Sequence, residues 1–556
     1  RPFEYIVLRQ TPRPWQVEDS VLVLASMFQL LQDEGRREAT LATMRQTLPE
    51  PLFALLAVSG TRWDAPLDGS RLPDPPLPGP GVIDLRRTAA PAVGDGRLEL
   101  PTPGSNNWAV AAFRTAGGAA LLANDMHLPL GMPNIWFRTR LRLDEPAGDE
   151  SALDVVGLGL PGTPVIAVGS NGHVAWGFTN AQVDTSDLVL LDLPADGGED
   201  RYLTPGGWRA FEVVRERIDI AGEESIDFEY RRTIWGPVIG RDAEGRPRAL
   251  RWVAHEPGAL NLGLLDLEQA RNVDQAIDIA HRTGIPAQNF LVVDEAGSIG
   301  WTLIGRLPRR IGFSGSLPES WSDGSRRWQG WLAEDEVPTV VNPPEGLLWT
   351  ANNRVVGGTA LARLGDGGYA LGARARQIRD DLRAVERHDE RSLLAIQLDA
   401  RARLLEPWRE LLLETAAGAV SDRQAAARLT EALADDPLEA RPDSVAYRLV
   451  RGFRLLVIER VLRPLIAPCV EADPGFRAGD LRQIEGPVWR LLDQRPLHLL
   501  DPRYAQWDEV LEEALADLLG QVEKRGGLAR FTWGQRNVVR VQHPFSRSLP
   551  WLSRWL

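Results

Sequence analysis

The spacing of hydrophobic and polar positions divides the chain into four stretches. Residues 17–47 (VEDSVLVLASMFQLLQDEGRREATLATMRQT) follow a helical period, with acidic residues at the start. Residues 60–104 are dense in proline and glycine, which is typical of a linker. Short apolar or alternating runs continue from residue 105 to about residue 310, and residues 369–535 return to helical patterns. This order predicts an α+β fold rather than a chain of alternating β-α-β units.

The strand-rich stretch contains many short runs that are separated by glycine, asparagine and aspartate. The clearest is NFLVVDEAGSIGWTLIG at residues 289–305, which predicts a hairpin with DEAG at its turn. The other predicted strands are WAVAAF, AALLAN, IWFRTRLRL, ALDVVGLGL, TPVIAVG, HVAWGFT, DLVLLDL, FEVVRERIDI and FEYRRTIWG.

Composition narrows the class of protein. Of the 556 residues, 44% are hydrophobic and 25% are charged, which is ordinary for a globular protein. The net charge of −13 argues against a nucleic-acid binder, since phosphate contacts require clustered positive charge. One cysteine, Cys469, excludes an internal disulfide and a CxxC motif. No run of 18 apolar residues occurs, so we expect no transmembrane helix and no membrane partner.

The familiar hydrolase and metal-binding motifs are absent from the sequence. There is no GxSxG nucleophile elbow, no HExxH, no GxxxxGK[ST] loop and no EF-hand loop. The seven histidines are scattered without the spacing of a metal site. An enzyme with this sequence must therefore present its nucleophile in another way.

Four ordered segments resemble penicillin acylases, the penicillin amidase branch of the N-terminal-nucleophile hydrolases. The first, SNNWAVAAFRTAGGAALLANDMHLPLGMPNIWF, is similar to the start of their β-subunit, and RPWQVEDS with its helix is similar to the end of their α-subunit. The other three segments are VGSNGHVAWGFTNAQVDTSDL, PAQNFLVVDEAGSIGWTLIGRLPRR and WQGWLAEDEVPTVVNPPEGLLWTANNR.

The resemblance implies a four-layered αββα core with an additional helical region. It also implies four parts: the end of an α-subunit, a spacer, a nucleophile core, and a helical region of the β-subunit that is incomplete at its C-terminal end. These parts are residues 1–70, 71–104, 105–368 and 369–556, respectively.

The resemblance also implies that a precursor cuts itself between Gly104 and Ser105. The free α-amino group of Ser105 would then act as the base for its own hydroxyl, so that no separate His/Asp pair is needed. The product would be an α/β heterodimer made from one zymogen. The plain alternative is a turn serine before a strand.

Four further catalytic residues are implied by the resemblance. His127 would orient the serine or help proton transfer, and the backbone N–H of Asn180 would be one oxyanion donor. The side-chain amide of Asn289 would be the second donor, and its place beside a strand is suggestive because asparagine is depleted there. Arg310 would orient the reacting groups, although it is easily confused with Arg309. The alternatives are a histidine in a polar turn, a capping asparagine and a solvated basic turn.

A structural calcium ion is also implied, bound by Asp184, Asp187 and a helix glutamate that matches Glu38. A separation of three places the two aspartates on opposite faces of a regular strand, so they converge only if the chain bends. Three carboxylates would be a partial ligand set for calcium. A polar turn and a solvated helix face are the alternatives.

The substrate is expected to be a small N-acyl compound with a linear amide bond, and its acyl group would lie near Met27, Phe28 and Leu31. An apolar lining there suits the aromatic side chain of a β-lactam antibiotic and the acyl chain of a homoserine lactone equally. Two other classes stay open: a non-catalytic scaffold on the same fold, and an unrelated amidase that uses Ser105 in an uncut chain. The resemblance implies a periplasmic or secreted location.

Overall fold

The computed structural model describes residues 1–32, 34–87, 104–143, 153–220, 222–418, 423–434 and 436–554. Four helices form the N-terminal part: α1 (Phe3–Val7), α2 (Val17–Leu31), α3 (Arg36–Thr47) and α4 (Glu50–Leu56). The single helix predicted over residues 17–47 is wrong, because α2 and α3 are separate. Gly35 breaks the helix with a left-handed φ of 79°, and a side chain there would meet Leu188 at 2.7 Å.

Within residues 60–87, the described part of the proline- and glycine-rich stretch, there is one short helical turn, Leu85–Arg87. Leu85 is buried, and the guanidinium of Arg86 donates to the carbonyl oxygens of Leu497, Tyr504 and Ala505 at 3.1, 2.6 and 3.1 Å. The later part of the predicted spacer, residues 88–103, lies outside the described residues.

The strand-rich stretch folds close to the pattern that the sequence predicts, including the hairpin with DEAG at its turn. One helix, α5 (Val273–Arg282), interrupts it before that hairpin. The strands are β1 (Gly104–Val110), β2 (Leu121–His127), β3 (Phe137–Leu143), β4 (Leu153–Gly159), β5 (Ile166–Ser170), β6 (Val174–Asn180), β7 (Ser186–Leu190), β8 (Arg201–Thr204), β9 (Gly207–Ala210), β10 (Glu212–Ile218), β11 (Ile226–Thr233), β12 (Gly236–Arg241), β13 (Pro247–Trp252), β14 (Gln288–Asp294), β15 (Ile299–Ile304), β16 (Pro308–Ile311), β17 (Glu319–Ser320), β18 (Arg327–Trp331), β19 (Val340–Val341) and β20 (Leu347–Thr350).

Three sheets carry most of these strands. The first is β2-β1-β20, with β1 antiparallel to both neighbours. The second has the order β19-β15-β14-β6-β5-β4-β3, and the third has the order β10-β11-β12-β13-β7-β17.

The remaining helices follow the last strand and build a helical block around α11. In the hydrophobic core of this block, side chains of α9, α11 and α13 pack with Met44 of α3 and Leu52 of α4. The N-terminal helices therefore pack against the C-terminal block. These helices are α6 (Gly358–Leu364), α7 (Ala373–Ala384), α8 (Glu390–Gln397), α9 (Glu406–Gly418), α10 (Arg423–Ala434), α11 (Val445–Ala472), α12 (Glu485–Gln494), α13 (Trp507–Lys524) and α14 (Trp533–Arg536).

The first two sheets lie between two helical layers. The side chains of β1, which point alternately to its two faces, show this arrangement. Trp108 and Val110 point outwards and pack with side chains of α7 and α8. Ala109 points the other way and packs with Leu291 of the second sheet. On the far side of that sheet, Phe290 packs with α5. The order helix, sheet, sheet, helix confirms the predicted αββα core and the α+β class.

Across the described ranges, no helix is both long enough and apolar enough to cross a bilayer.

Candidate active site

Ser105 is the second residue of β1 and lies opposite Met126 of β2. Since side chains alternate along a strand, Ser105 shares the inward face of β1 with Ala109. Only 7% of its surface is exposed. The serine is thus fixed between the two central sheets rather than in a mobile loop, which disfavours the plain turn interpretation.

Two N–H donors converge on the hydroxyl oxygen of Ser105. The backbone N–H of Asn180, at the end of β6, lies 3.3 Å from Oγ, and the side-chain Nδ2 of Asn352 lies 3.1 Å from it. Asn352 Nδ2 also donates to the carbonyl oxygen of Asn180 at 2.9 Å, and its Oδ1 accepts from Ser105 N at 2.7 Å. Asn352 therefore holds the nucleophile, its nitrogen and the Asn180 segment in one arrangement.

Arg374, in the first turn of α7, supports this arrangement from the other side. Its Nη2 donates to Asn352 Oδ1 at 3.0 Å, and its Nη1 donates to the carbonyl oxygen of Ser105 at 2.9 Å and to Asn106 Oδ1 at 2.6 Å. Burial lowers the pKa of Arg374 to about 10, so the guanidinium stays charged at neutral pH.

His127 lies beside Gly104, with which it pairs across β1 and β2. Its Nε2 contacts Asp125 Oδ2 at 2.9 Å, and this hydrogen bond lowers the pKa of Asp125 below its ordinary value. A Cβ built on Gly104 would lie 3.2 Å from His127 Nδ1 and 3.4 Å from Arg374 Nη2. Glycine at position 104 therefore lets these polar groups approach the Gly104–Ser105 bond.

The structure does not place the side-chain amide of Asn289 in contact with Ser105, and its role as the second oxyanion donor stays a prediction. Its Nδ2 donates to Thr179 Oγ1 at 3.1 Å, and its Oδ1 accepts from Trp301 Nε1 at 3.1 Å. Both ends of the amide are occupied within the second sheet. The asparagine that reaches the nucleophile is Asn352.

Arg310 is misplaced by the prediction, because it contacts the acidic residues and not the nucleophile. Its Nε lies 2.9 Å from Asp187 Oδ2, and its Nη2 lies 2.9 Å from Asp184 Oδ1. The alternative, Arg309, pairs with Glu336 instead. The arginine beside Ser105 is Arg374.

Asp184, Asp187 and Glu38 lie close enough for their charges to interact, and their role as metal ligands stays a prediction. Burial raises the pKa of Asp184 to about 8 and that of Asp187 to about 6, although Arg310 opposes both shifts. Burial and the two aspartates raise the pKa of Glu38 well above its ordinary value. Glu38 Oε2 accepts from the backbone N–H of Leu188 at 2.7 Å, which ties α3 to β7.

The cluster does not fit a calcium ion as it stands. A guanidinium already takes the aspartate oxygens that calcium would need, and among the described residues no group of three or more His, Cys, Asp or Glu is arranged to hold a metal.

We predict a pH effect from Asp184. Because its folded-state pKa is raised, its contribution to stability is present below about pH 4 and is lost as the pH rises through about 8. The free energy of unfolding of the wild type relative to Asp184→Asn should therefore fall from about pH 5 to about pH 9. The charged neighbours are Arg310, Asp187, Glu38 and Asp366. Urea unfolding across this range measures the difference, and a difference that does not change with pH would contradict the prediction.

An apolar cavity of about 830 Å³, its open mouth included, ends at Ser105. Met27 and Leu31 of α2 line it as predicted, but Phe28 does not, because its ring packs against Trp252. The other lining residues are Leu24, Gly104, Met126, Leu128, Trp136, Leu160, Val165, Ala167, Val168, Phe178, Asn180, Leu264, Ile285, Pro286, Gln288 and Asn352.

The sequence did not lead us to predict that Asn352 and Arg374 contact Ser105. A signal for Asn352 was present: two asparagines directly after an apolar run, where one can adopt a left-handed turn. Asn352 does so, with φ 63°. No local signal separated Arg374 from the other arginines of the helical region.

The αββα core with an inward serine at the start of a central strand is the arrangement of the N-terminal-nucleophile hydrolase fold. A solved structure of a thermostable penicillin G acylase from Alcaligenes faecalis shares this fold, with a TM-score of 0.60 and 21% identity over 77% of this chain and 80% of that chain. The family described as penicillin amidase matches residues 1–554, and the chain belongs to that family. The predicted resemblance is confirmed.

Two curated relatives bear acylase names. The chain is 29% identical, over 97% of its length, to the acyl-homoserine lactone acylase QuiP of Pseudomonas aeruginosa. It is 30% identical, over 99% of its length, to the penicillin acylase 2 proenzyme of Pseudomonas sp. strain SE83. The chain spans 66% and 69% of the length of these two relatives.

Proposed function

We propose that this chain is an acylase that hydrolyses the linear amide bond of a small N-acyl substrate at Ser105. One observation carries the proposal: at the inner end of an apolar cavity, two fixed N–H donors, from Asn180 and Asn352, converge on a buried serine oxygen. These donors fix the nucleophile, and we place the substrate's carbonyl oxygen beside them, because an acyl-transfer transition state requires preorganised donors at its oxyanion.

The first step of the proposed mechanism is self-cleavage. Ser105 Oγ attacks the carbonyl carbon of Gly104, the C–N bond breaks as the ester forms, and the nitrogen of Ser105 becomes a free amine. Water then hydrolyses the ester and leaves a carboxylate on Gly104. The result is an α/β heterodimer in which Ser105 begins the second chain.

The same serine then serves the substrate. Its α-amino group, with an ordinary pKa of about 8, accepts the proton of Oγ as Oγ attacks the amide carbonyl. The N–H groups of Asn180 and Asn352 stabilise the oxyanion, and the substrate amine leaves with the proton. Water hydrolyses the acyl-serine ester and restores the enzyme.

The packing of Leu85 and Arg86 supports a spacer that begins after Arg87 rather than at residue 71. A segment anchored by a buried side chain and by hydrogen bonds to three carbonyl oxygens is expected to resist proteolytic removal. We therefore propose that any further trimming falls between Arg87 and Gly104.

The periplasmic or secreted location stays a prediction.

The cavity lining supports an apolar acyl group, and the predominance of leucine, valine and methionine favours a flexible alkyl chain over a rigid ring. The names of the two relatives supply the competing substrate classes, N-acyl homoserine lactones and penicillins. We propose the former as the better fit.

This proposal predicts a dependence on chain length. Each buried methylene contributes about 0.8 kcal/mol, so kcat/KM should rise about fourfold per added CH₂ until the cavity is filled. Leu24→Phe, which adds volume at a buried position of the cavity lining, should shift the optimum to shorter chains. Leu22→Phe is the matched control, because Leu22 lies on the same helix but is 60% exposed. A preference for penicillin G with no response to chain length would contradict the alkyl assignment.

Covalent labelling separates the acylase from a non-catalytic scaffold. Phenylmethylsulfonyl fluoride should add one sulfonyl group to Ser105 and abolish amide hydrolysis in parallel. A protein that binds N-acyl substrates but neither labels nor hydrolyses them would favour the scaffold.

A further inference from the structure

Arg310 of β16 is almost completely buried, with 6% of its side chain exposed. Its guanidinium contacts one short stretch of chain, from Asp184 to Asp187, where β7 begins. Nε lies 3.1 and 2.9 Å from the two carboxylate oxygens of Asp187, and Nη2 lies 2.9 Å from Asp184 Oδ1. Nη1 and Nη2 also donate to the carbonyl oxygen of Asp184 at 3.2 and 3.3 Å, and Nη2 lies 3.4 Å from that of Ser186.

These acceptors have the chemistry of a hard-cation site. Two carboxylates and two main-chain carbonyl oxygens of one turn are the oxygen donors that calcium takes in proteins. A guanidinium is the other cation that suits them, since its planar fork meets several oxygens at once and is weakly hydrated. The chain supplies that cation itself.

The surroundings are closed over the guanidinium. Gly315 packs against it with φ 83°, and a Cβ there would lie 2.5 Å from Arg310 Nε and 2.7 Å from Asp184 Oδ2. On another side, Trp328 Nε1 donates to Asp187 Oδ2. A calcium ion could reach these oxygens only if the arginine were withdrawn.

We infer that Arg310 is a covalently attached replacement for the structural cation, so that this chain holds its β6–β7 segment without calcium. The segment begins at Asn180, whose N–H contacts Ser105 Oγ and whose carbonyl oxygen contacts Asn352. Arg310 is thus a positioning residue: it fixes the turn that leads away from one oxyanion donor but does not touch the nucleophile. This inference does not depend on the proposed acylase activity.

Thermal unfolding with and without a cation tests the inference. The wild type should contain no bound calcium by elemental analysis, and its Tm should be unchanged by EDTA or by added calcium chloride. Arg310→Met removes the cation beside two buried aspartates, so its Tm should fall by several degrees and rise again with calcium. Arg310→Lys keeps a positive charge and should respond to calcium less than Arg310→Met.

Arg309→Met is the matched control, because the neighbouring Arg309 pairs with Glu336 at a partly exposed site away from the aspartates. Its Tm should not respond to calcium. One equivalent of calcium in the purified wild type, together with a Tm lowered by EDTA, would overturn the inference. An Arg310→Met protein that folds but gains nothing from calcium would also overturn it. If Arg310→Met does not fold, the wild-type measurements alone still decide the question.

Discussion

Replacing Asn352 with alanine is expected to lower kcat by about 10² to 10³, the cost of removing one oxyanion donor at comparable sites. Asn352 Nδ2 lies 3.1 Å from Ser105 Oγ, and its Oδ1 also accepts from Ser105 N. The loss should therefore appear in kcat more than in KM. Steady-state kinetics on fully processed enzyme with an N-acyl homoserine lactone measures it, and Asn352→Asp, which keeps the size but loses the N–H donor, should be similarly impaired.

Asn289→Ala is the matched comparison for this experiment. Asn289 is as buried as Asn352, but its amide contacts Thr179 and Trp301. Its removal leaves the indole N–H of Trp301 unpaired, which should cost about 1–3 kcal/mol of stability. The kcat of the folded protein should change little. If Asn289→Ala lost turnover while Asn352→Ala kept it, the assignment of the oxyanion donor would be reversed.

Replacing Ser105 with alanine has the largest expected effect, because it removes nucleophile and base together. The variant should stay one uncut chain and lose about 10⁵-fold or more in activity. Ser105→Cys retains a nucleophile and should still cleave itself while hydrolysing amides poorly. An alanine variant that was cut at Gly104 and active would show that another residue attacks.

The fold was predictable because its signals are local. Alternating runs marked the strands of the core, and DEAG marked the turn between β14 and β15. The break between α2 and α3 was missed although a polar run, QDEGRRE, surrounds Gly35, because a glycine inside a helical pattern can be tolerated; the positive φ of Gly35 shows that the helix ends there.

The errors in the site have a common physical cause. Asn289 stood out because asparagine is unusual in a strand, but the side chain is satisfied within the sheet by Thr179 and Trp301. Nothing in the local sequence distinguishes the role of Arg310 from that of Arg374. Tertiary packing places Arg310 beside two aspartates and Arg374 beside Ser105. His127 and Asn180 are the last residues of β2 and β6, and these strands bring them close to Gly104 and Ser105; their catalytic roles stay predictions.

The central claim is that Ser105 works as the first residue of its chain. Intact-mass analysis and N-terminal sequencing of the wild-type protein test it most directly. We expect two chains, the second beginning SNNWAV, with a mass that matches cleavage after Gly104. A wild-type protein that is active, stable and a single uncut polypeptide would contradict it, because Ser105 would then have no free amine to act as its base.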